Sequence, residues 1–286
     1  MSERNILEVS PPLADRYAVT DPALQSISVQ INGDAWFLQT SPEFALKRLL
    51  SLGSGDIYSL SKAFRSDEFG RWHSPEFTML EWYRCGFDHH DLMAEVEQLV
   101  RCCWPDAPAI EKLSHRELFG DILGLDSLCA SVTQLAEAAR AQGYGAALEL
   151  DKAWLLDLLW VLAIEPNIKD RAFFVYDFPI EQAALARSSM VSGIPRAHRF
   201  ELVINGLELA NGFWELTDPV EQERRFREDN VKRSAMGLAE VQADPRLLDA
   251  LRRGLPECSG VALGVDRLLA LSVGVASLAE LMPFAD

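Results

Sequence analysis

The residues best equipped for chemistry lie between Ile57 and Arg84. A polar loop there carries Arg65, Asp67, Glu68, Arg71 and His73. It separates two stretches, Ile57 to Arg65 and Glu76 to Tyr83, in which aliphatic and aromatic residues recur with period two, which predicts a pair of strands. In the second strand Phe77, Met79, Glu81 and Tyr83 fall on one side, because successive strand side chains alternate faces. A ring, a thioether, a carboxylate and a phenol then stand in a row. Glu81 among large apolar neighbours asks for a cationic partner, since a buried charge is costly unless paired. The bland alternative is a solvated hairpin with a few charges.

A second set lies at Arg199 to Asn211, where Asn205-Gly206 is a strong hairpin signal. A two-residue loop predicts Ile204 opposite Leu207, Val203 opposite Glu208 and Glu201 opposite Ala210. Glu201 and Glu208 then share a face about 7–8 Å apart at the backbone. Such a carboxylate pair suits a hard cation such as magnesium carried with a nucleotide, or else simply faces water. Towards the end, Gly260-Val-Ala-Leu-Gly264-Val-Asp-Arg267-Leu reads as a strand entering a helix. Gly264 allows close backbone approach, and Arg267 falls in the first helical turn, where the dipole also favours an anion.

The elements that must position these groups are legible from their spacing. Thr40 to Leu50 reads as a helix with Ser41 as cap, Pro42 at its first position and Glu43 in its first turn. Leu92, Val96, Leu99, Val100 and Cys103 recur at helical spacing between Asp88 and Trp104. His89 and His90 at its start read as solvated cap residues, since metal ligation would need more partners. About 112–168 reads as helical, with a capping box at Ser131 to Gln134 and an apolar stripe of Trp154, Leu155, Leu158, Leu159 and Leu162. Phe173 to Phe178 returns as a strand. Neither a repeat nor a linker interrupts the chain, so one domain over 1–286 is expected, with about 112–168 as a helical insertion.

Composition narrows the classes of function. A hydrophobic content of 49% with 24% charged residues is that of a globular enzyme. The net charge of −16 argues against a broad footprint for nucleic acid and suits a cationic small substrate. Five cysteines, odd in number and without a Cys-x-x-Cys pair, argue against a disulfide scaffold or zinc knuckle and for a reducing cytoplasm. Cys258 reads as a buried small hydrophobe, with a nucleophile as the alternative. With no apolar leader and no run of about 18 apolar residues, neither secretion nor a membrane span is expected.

HSPEFTMLEWYR resembles motif 2 of the class II aminoacyl-tRNA synthetases, closest to the lysyl branch, and GLELANGFWEL and GVALGVDRL resemble its later signature and motif 3. ILEVSPP resembles the strand end of motif 1, with Pro12 at the position of its proline. The resemblance implies an α+β fold, an antiparallel sheet flanked by helices, that uses ATP and Mg²⁺ to activate lysine as an adenylate. Family members pair through a helix before motif 1. Only five residues precede Ile6, so a homodimer is expected with a truncated start or an altered contact.

By the same resemblance Arg65 and Arg267 are the catalytic pair, Arg65 on the α-phosphate and carboxylate, Arg267 on the γ-phosphate. His73 faces the triphosphate, and Phe77 and Arg267 sandwich the adenine. Asp67 and Ser74 stand where the family usually has glutamate and asparagine, and Glu208, Leu209 and Gly264 complete the ATP contacts. Glu201 and Glu208 hold Mg²⁺. Ser41, Pro42 and Glu43 border the amino-acid pocket, with Glu43 on the α-ammonium. Glu215 meets the side-chain ammonium, near Glu81, Tyr83 and Asn211, and Asn211 reaches that face only through a bulge at Asn211-Gly212.

Two acceptors separate the family's branches. Lysyl-tRNA synthetases carry an anticodon-binding domain of roughly a hundred residues, for which this chain has no room, and the acidic balance also counts against tRNA. The shorter lysyl-tRNA-synthetase-like ligases pass lysine to an ε-amino group of elongation factor P. They share Ala262, where tRNA synthetases usually have glycine, which is consistent with preference for (R)-β-lysine. A non-catalytic regulator of the family is expected to lose a phosphate arginine or a metal carboxylate. Arg65, Arg267, Glu201 and Glu208 are all present.

Overall fold

Each strand expected from period-two patterning forms, and the glycine-containing turns set where the chain reverses. The structure is a computed structural model describing residues 1–66, 68–145 and 151–281. It has two compact units, Met1–Asp88 with Leu216–Asp286, and His89–Glu215.

The chain starts in the first unit with β1 (Leu7–Glu8), β2 (Ala14–Asp15), β3 (Ser28–Ile31) and β4 (Asp34–Leu38). Strands β2, β4 and β3 form a small antiparallel sheet. Helix α1 (Glu43–Leu50) leads to β5 (Ile57–Phe64) and β6 (Glu76–Cys85). These two pair antiparallel, with Ile57 opposite Tyr83 and Phe64 opposite Glu76. Strand β1 lies parallel to β5.

The second unit opens with α2 (His89–Cys103), β7 (Glu111–Ser114), α3 (His115–Leu123), α4 (Val132–Ala141) and α5 (Lys152–Leu159). Both Ser114 and Ser131 close capping boxes, each accepting the N–H of the third helical residue, whose side chain returns to the cap. Two expectations for about 112–168 need correction. Glu111–Ser114 is a parallel edge strand on the later β8, which its polar sequence concealed. A π-helical turn at Trp160–Ile164 follows α5 and shifts the apolar face by adding a residue to the turn. The buried set is Leu155, Leu156, Leu159, Ala163 and Ile164, while Trp154 is exposed.

After the short α6 (Glu165–Asn167), the unit is completed by β8 (Ala172–Phe178), β9 (Ser188–Val191), β10 (Ile194–Ile204) and β11 (Leu207–Trp214). Strand β10 lies between β8 and β11, with β9 on its early part, all antiparallel. The β10–β11 turn is Asn205-Gly206, both at positive φ (54° and 76°), as the sequence required. The core joins Leu118, Phe119, Leu135, Leu155, Leu159, Phe173 and Val175. Each large apolar side chain fully buried there contributes about 1.5–3 kcal/mol.

The chain then returns to the first unit with α7 (Pro219–Ala235), α8 (Pro245–Arg253), β12 (Cys258–Gly264) and α9 (Val265–Val273). Asp218 and Asp244 cap α7 and α8 ahead of their prolines. Strand β12 pairs antiparallel with β6, giving the order β1-β5-β6-β12 within this unit. Cys258 is fully buried, as expected of a small hydrophobe. No helix among the described residues is long and apolar enough to cross a membrane.

Candidate active site

Strand register builds the first set of side chains. On β6, Glu81 stands between Ser59 of β5 and Ala262 of β12, and Met79 stands between Ser61 and Gly264. Phe77 lies opposite Ala63, and Tyr83 lies between Ile57 and Gly260. Directly opposed residues of antiparallel strands share a face, so the small side chains Ser59, Ser61, Ala63 and Ala262 border the row. Ser59 and Ser61 escaped the sequence reading. The pairing of Ile57 with Tyr83 is the signal that finds them, and it exists only once the register is known.

Glu81 is 2% exposed. Hydroxyls engage both of its oxygens: Ser41 donates to Oε2 at 2.6 Å and Tyr83 to Oε1 at 2.8 Å. The Ser41 hydroxyl also accepts the Glu43 N–H at 3.1 Å. Helix α1 begins at Glu43 with Pro42 in the cap position, one residue later than expected. Ser41 thus fixes the helix start and the carboxylate together. Glu43, expected to face a substrate ammonium, receives the Nζ of Lys47 at 2.7 Å. Lys47 is buried, one turn further along, and nothing in its sequence context marks it out.

Arg65 extends from the end of β5 with its guanidinium 5.1 Å from the Phe77 ring centroid and Nη1 2.8 Å from Glu68. Its Nε is buried and has no hydrogen-bond partner among the described residues. A buried donor of this kind is costly until an acceptor arrives, and an oxyanion supplies one. Asp67, also assigned to ATP, lies outside the described residues. His73 is exposed in the loop, its N–H bonded to the Gly70 carbonyl, and Ser74 is half-buried.

Gly264 is the cap residue of α9, and Arg267 falls in its first turn. Arg267 Nε donates to the Trp72 carbonyl at 3.1 Å, and Asp266 accepts the Thr78 N–H at 2.6 Å, tying the helix start to the β5–β6 hairpin. Arg65 thus lies over the Phe77 ring, the ring assigned with Arg267 to sandwich the adenine.

The second set lies in the other unit, on β10 and β11. Val203 faces Glu208 as expected, but Glu201 faces Asn211, because the register shifts between Leu202 and Val203. The added residue on β11 is Leu209, between Glu208 and Ala210. Asn211 therefore joins the face of Glu201 through a bulge two residues earlier than the one expected at Asn211-Gly212. Arg199, which the sequence reading left unassigned, joins both: its guanidinium pairs with Glu201 and donates to Asn211 Oδ1 at 3.3 Å.

Burial, then the charge of Glu208, pushes the Glu201 carboxyl up to about 7 against the opposing pull of Arg199. Repulsion between two carboxylates is what a divalent cation relieves, and two hard oxygen donors suit Mg²⁺, so the residues fit that ion. Glu215, one residue past β11, is 1% exposed and forms a backbone bridge to Ala186.

A family model described as tRNA synthetases class II (D, K and N) matches residues 1–286. The chain belongs to the class II tRNA synthetases of this group, and its fold is their α+β catalytic fold. It is 48% identical over 283 residues to an elongation factor P--(R)-beta-lysine ligase of Vibrio cholerae, covering 96% of this chain and 86% of that protein. Proteins of the same name from Vibrio atlanticus and Vibrio parahaemolyticus are each 44% identical, over 99% of this chain and 90% of theirs.

Proposed function

We propose that this chain is an ATP-dependent ligase that activates (R)-β-lysine as an adenylate and transfers it to a lysine ε-amino group of elongation factor P. One structural observation carries most weight. The β5–β6–β12 face holds an anion-ready Arg65, with its buried Nε lacking a partner, and a hydroxyl-held Glu81 fit for an ammonium. A zwitterionic amino acid reacting with a polyphosphate needs both. The identity to the named Vibrio ligases supports the choice of amino acid and acceptor.

In the first half-reaction a carboxylate oxygen of the amino acid attacks the α-phosphorus of ATP. The new P–O bond forms as the bond to pyrophosphate breaks. No protein nucleophile takes part; charge neutralisation and alignment supply the acceleration. Arg65 holds the α-phosphate and the attacking carboxylate, and Arg267 the far end of the triphosphate. Glu201 and Glu208 would hold Mg²⁺, which would supply charge neutralisation along the phosphates. Glu215 is assigned to the side-chain ammonium, with Asn211 on the preceding strand.

In the second half-reaction the acceptor ε-amine attacks the adenylate carbonyl, the amide forms, and AMP leaves. At an unperturbed pKa near 10.4 that amine is less than about 0.1% neutral at pH 7. The adenylate phosphate accepts its proton as the amide forms.

Ala262 bears on the choice of amino acid. Its methyl stands directly opposite Glu81, where a glycine would leave room. In (R)-β-lysine the amino group sits one carbon further along and avoids that methyl. A single methyl discriminates by about 1–3 kcal/mol, so α-lysine remains a usable substrate.

The test is incubation of the chain with ATP, labelled (R)-β-lysine or lysine, and either elongation factor P or bulk tRNA. Label is expected in the protein, more from (R)-β-lysine. Label in tRNA and none in protein overturns the reading.

A further inference from the structure

Outside the residues assigned to ATP and lysine, the second unit brings together His89 at the start of α2, Asp177 near the end of β8 and His198 on β10. Their exposures are 3%, 7% and 8%. The sequence reading placed His89 in solvent for want of partners, and the fold supplies both. Asp177 adopts a left-handed backbone (φ 57°), and the register between β8 and β10 shifts between Ala197 and Phe200. Two β10 residues, His198 and Arg199, thus fall in the interval opposite Asp177, the pattern of a bulge that re-aims side chains.

We propose that His89, Asp177 and His198 form a binding site for a single divalent transition-metal ion of the zinc type, with water in the remaining position. Asp177 Oδ1 lies 3.4 Å from His89 Nε2 and 3.8 Å from His198 Nδ1, and the three donor atoms all fall within 4.8 Å of one another. Bonds of about 2.0–2.2 Å in tetrahedral geometry put neighbouring donors about 3.3–3.5 Å apart, so small rotamer adjustments bring all three onto one ion.

Both histidine nitrogens that face Asp177 are buried without a hydrogen-bond partner among the described residues. A buried ring nitrogen left so is costly, and coordination removes the cost. The outer contacts of a metal site are also present. His198 Nε2 meets the Ser189 hydroxyl at 2.7 Å, and with Nε2 as the donor Nδ1 presents its lone pair towards Asp177. Arg196 Nη1 pairs with the other carboxylate oxygen of Asp177 at 2.5 Å, orienting Oδ1 inwards.

Two imidazoles and one carboxylate suit zinc, and equally cobalt as its spectroscopic substitute, better than magnesium or calcium, which prefer all-oxygen sites. The guanidinium of Arg196 opposes the cation, so micromolar rather than nanomolar affinity is expected. By linking α2, β8 and β10 the ion stabilises the second unit. This site shares no residue with the Glu201–Glu208 pair.

The test uses the untagged full-length chain, stripped with a chelator and dialysed against Zn²⁺ alone. One zinc per chain is expected by elemental analysis and by calorimetry, with a higher Tm. His89→Ala and His198→Ala are expected to bind none, while His90→Ala and Glu208→Ala keep the full equivalent. Because a histidine variant can fail by misfolding, Co²⁺ added to the wild type gives a second readout, the intense visible bands of a four-coordinate ion. Absence of zinc and cobalt binding by the wild type overturns the proposal. So does zinc retained at full stoichiometry in folded His89→Ala and His198→Ala.

Discussion

The two hairpins, β5–β6 in the first unit and β10–β11 in the second, each bury a glutamate and treat it in opposite ways. Glu81 is fixed by two hydroxyls, on a strand whose register runs without a break from Ile57 opposite Tyr83 to Phe64 opposite Glu76. Glu201 is paired with Arg199 on a bulged strand, and burial and Glu208 still hold its proton affinity high. The two hydroxyls fix the direction of the Glu81 carboxylate, the group assigned to a substrate ammonium. The second hairpin brings Glu201 and Glu208 close enough to repel, with Arg199 as a counter-charge on Glu201, and a divalent cation would relieve that repulsion.

The strongest way to break that contrast is Arg65→Ala. Lysine-dependent ATP–pyrophosphate exchange is expected to fall by about 10³-fold, the scale of losing an aligned charge-stabilising donor, with folding intact. Exchange that survives unchanged removes the anion role from the first hairpin. Next in size is Glu215→Ala. It is expected to raise the KM for the amino acid by about a hundredfold, since a buried ammonium left without its counter-charge costs several kcal/mol. An unchanged KM means that the ammonium is held elsewhere.

Glu201→Gln sharpens the second half of the contrast through pH. The folded-state pKa of Glu201, about 7, lies above its reference value of 4.5, so the folded chain holds this proton more tightly than the unfolded chain. That contribution is complete below about pH 4.5 and is lost as the pH rises through about 7. Denaturant titrations without Mg²⁺ should therefore show wild type losing up to about 3 kcal/mol against Glu201→Gln across that window. Adding Mg²⁺ and ATP should narrow the gap. A gap that stays flat with pH contradicts the strained carboxylate. The smallest effect is at Ala262→Gly, which should shift the preference between (R)-β-lysine and α-lysine towards the latter by about tenfold, read from the ratio of kcat/KM values.

The first hairpin was almost fully legible because its periodicity is unbroken. Phe77, Met79, Glu81 and Tyr83 needed only alternation to be placed on one face, and Asn205-Gly206 fixed the second turn equally well. Alternation failed at Leu209, because nothing in its type announces an extra residue, and the error moved the partner of Glu201 from Ala210 to Asn211. The π-turn at Trp160–Ile164 misled in the same way, carrying burial on to Ala163 and Ile164. Lys47, Arg199 and His89 were missed for another reason, since each matters through a partner brought to it by folding.

By itself, the sequence determined the strands and turn positions of the two hairpins, the helices α1 and α2, and which residue types the family's chemistry requires. These depend on neighbours a few positions apart, whose geometry the backbone repeats. The tertiary structure alone decided the rungs Ser59–Glu81–Ala262 and Glu201–Asn211, and the meeting of His89 with Asp177 and His198. Those contacts join residues far apart in the chain, and one inserted residue in a strand changes what faces what.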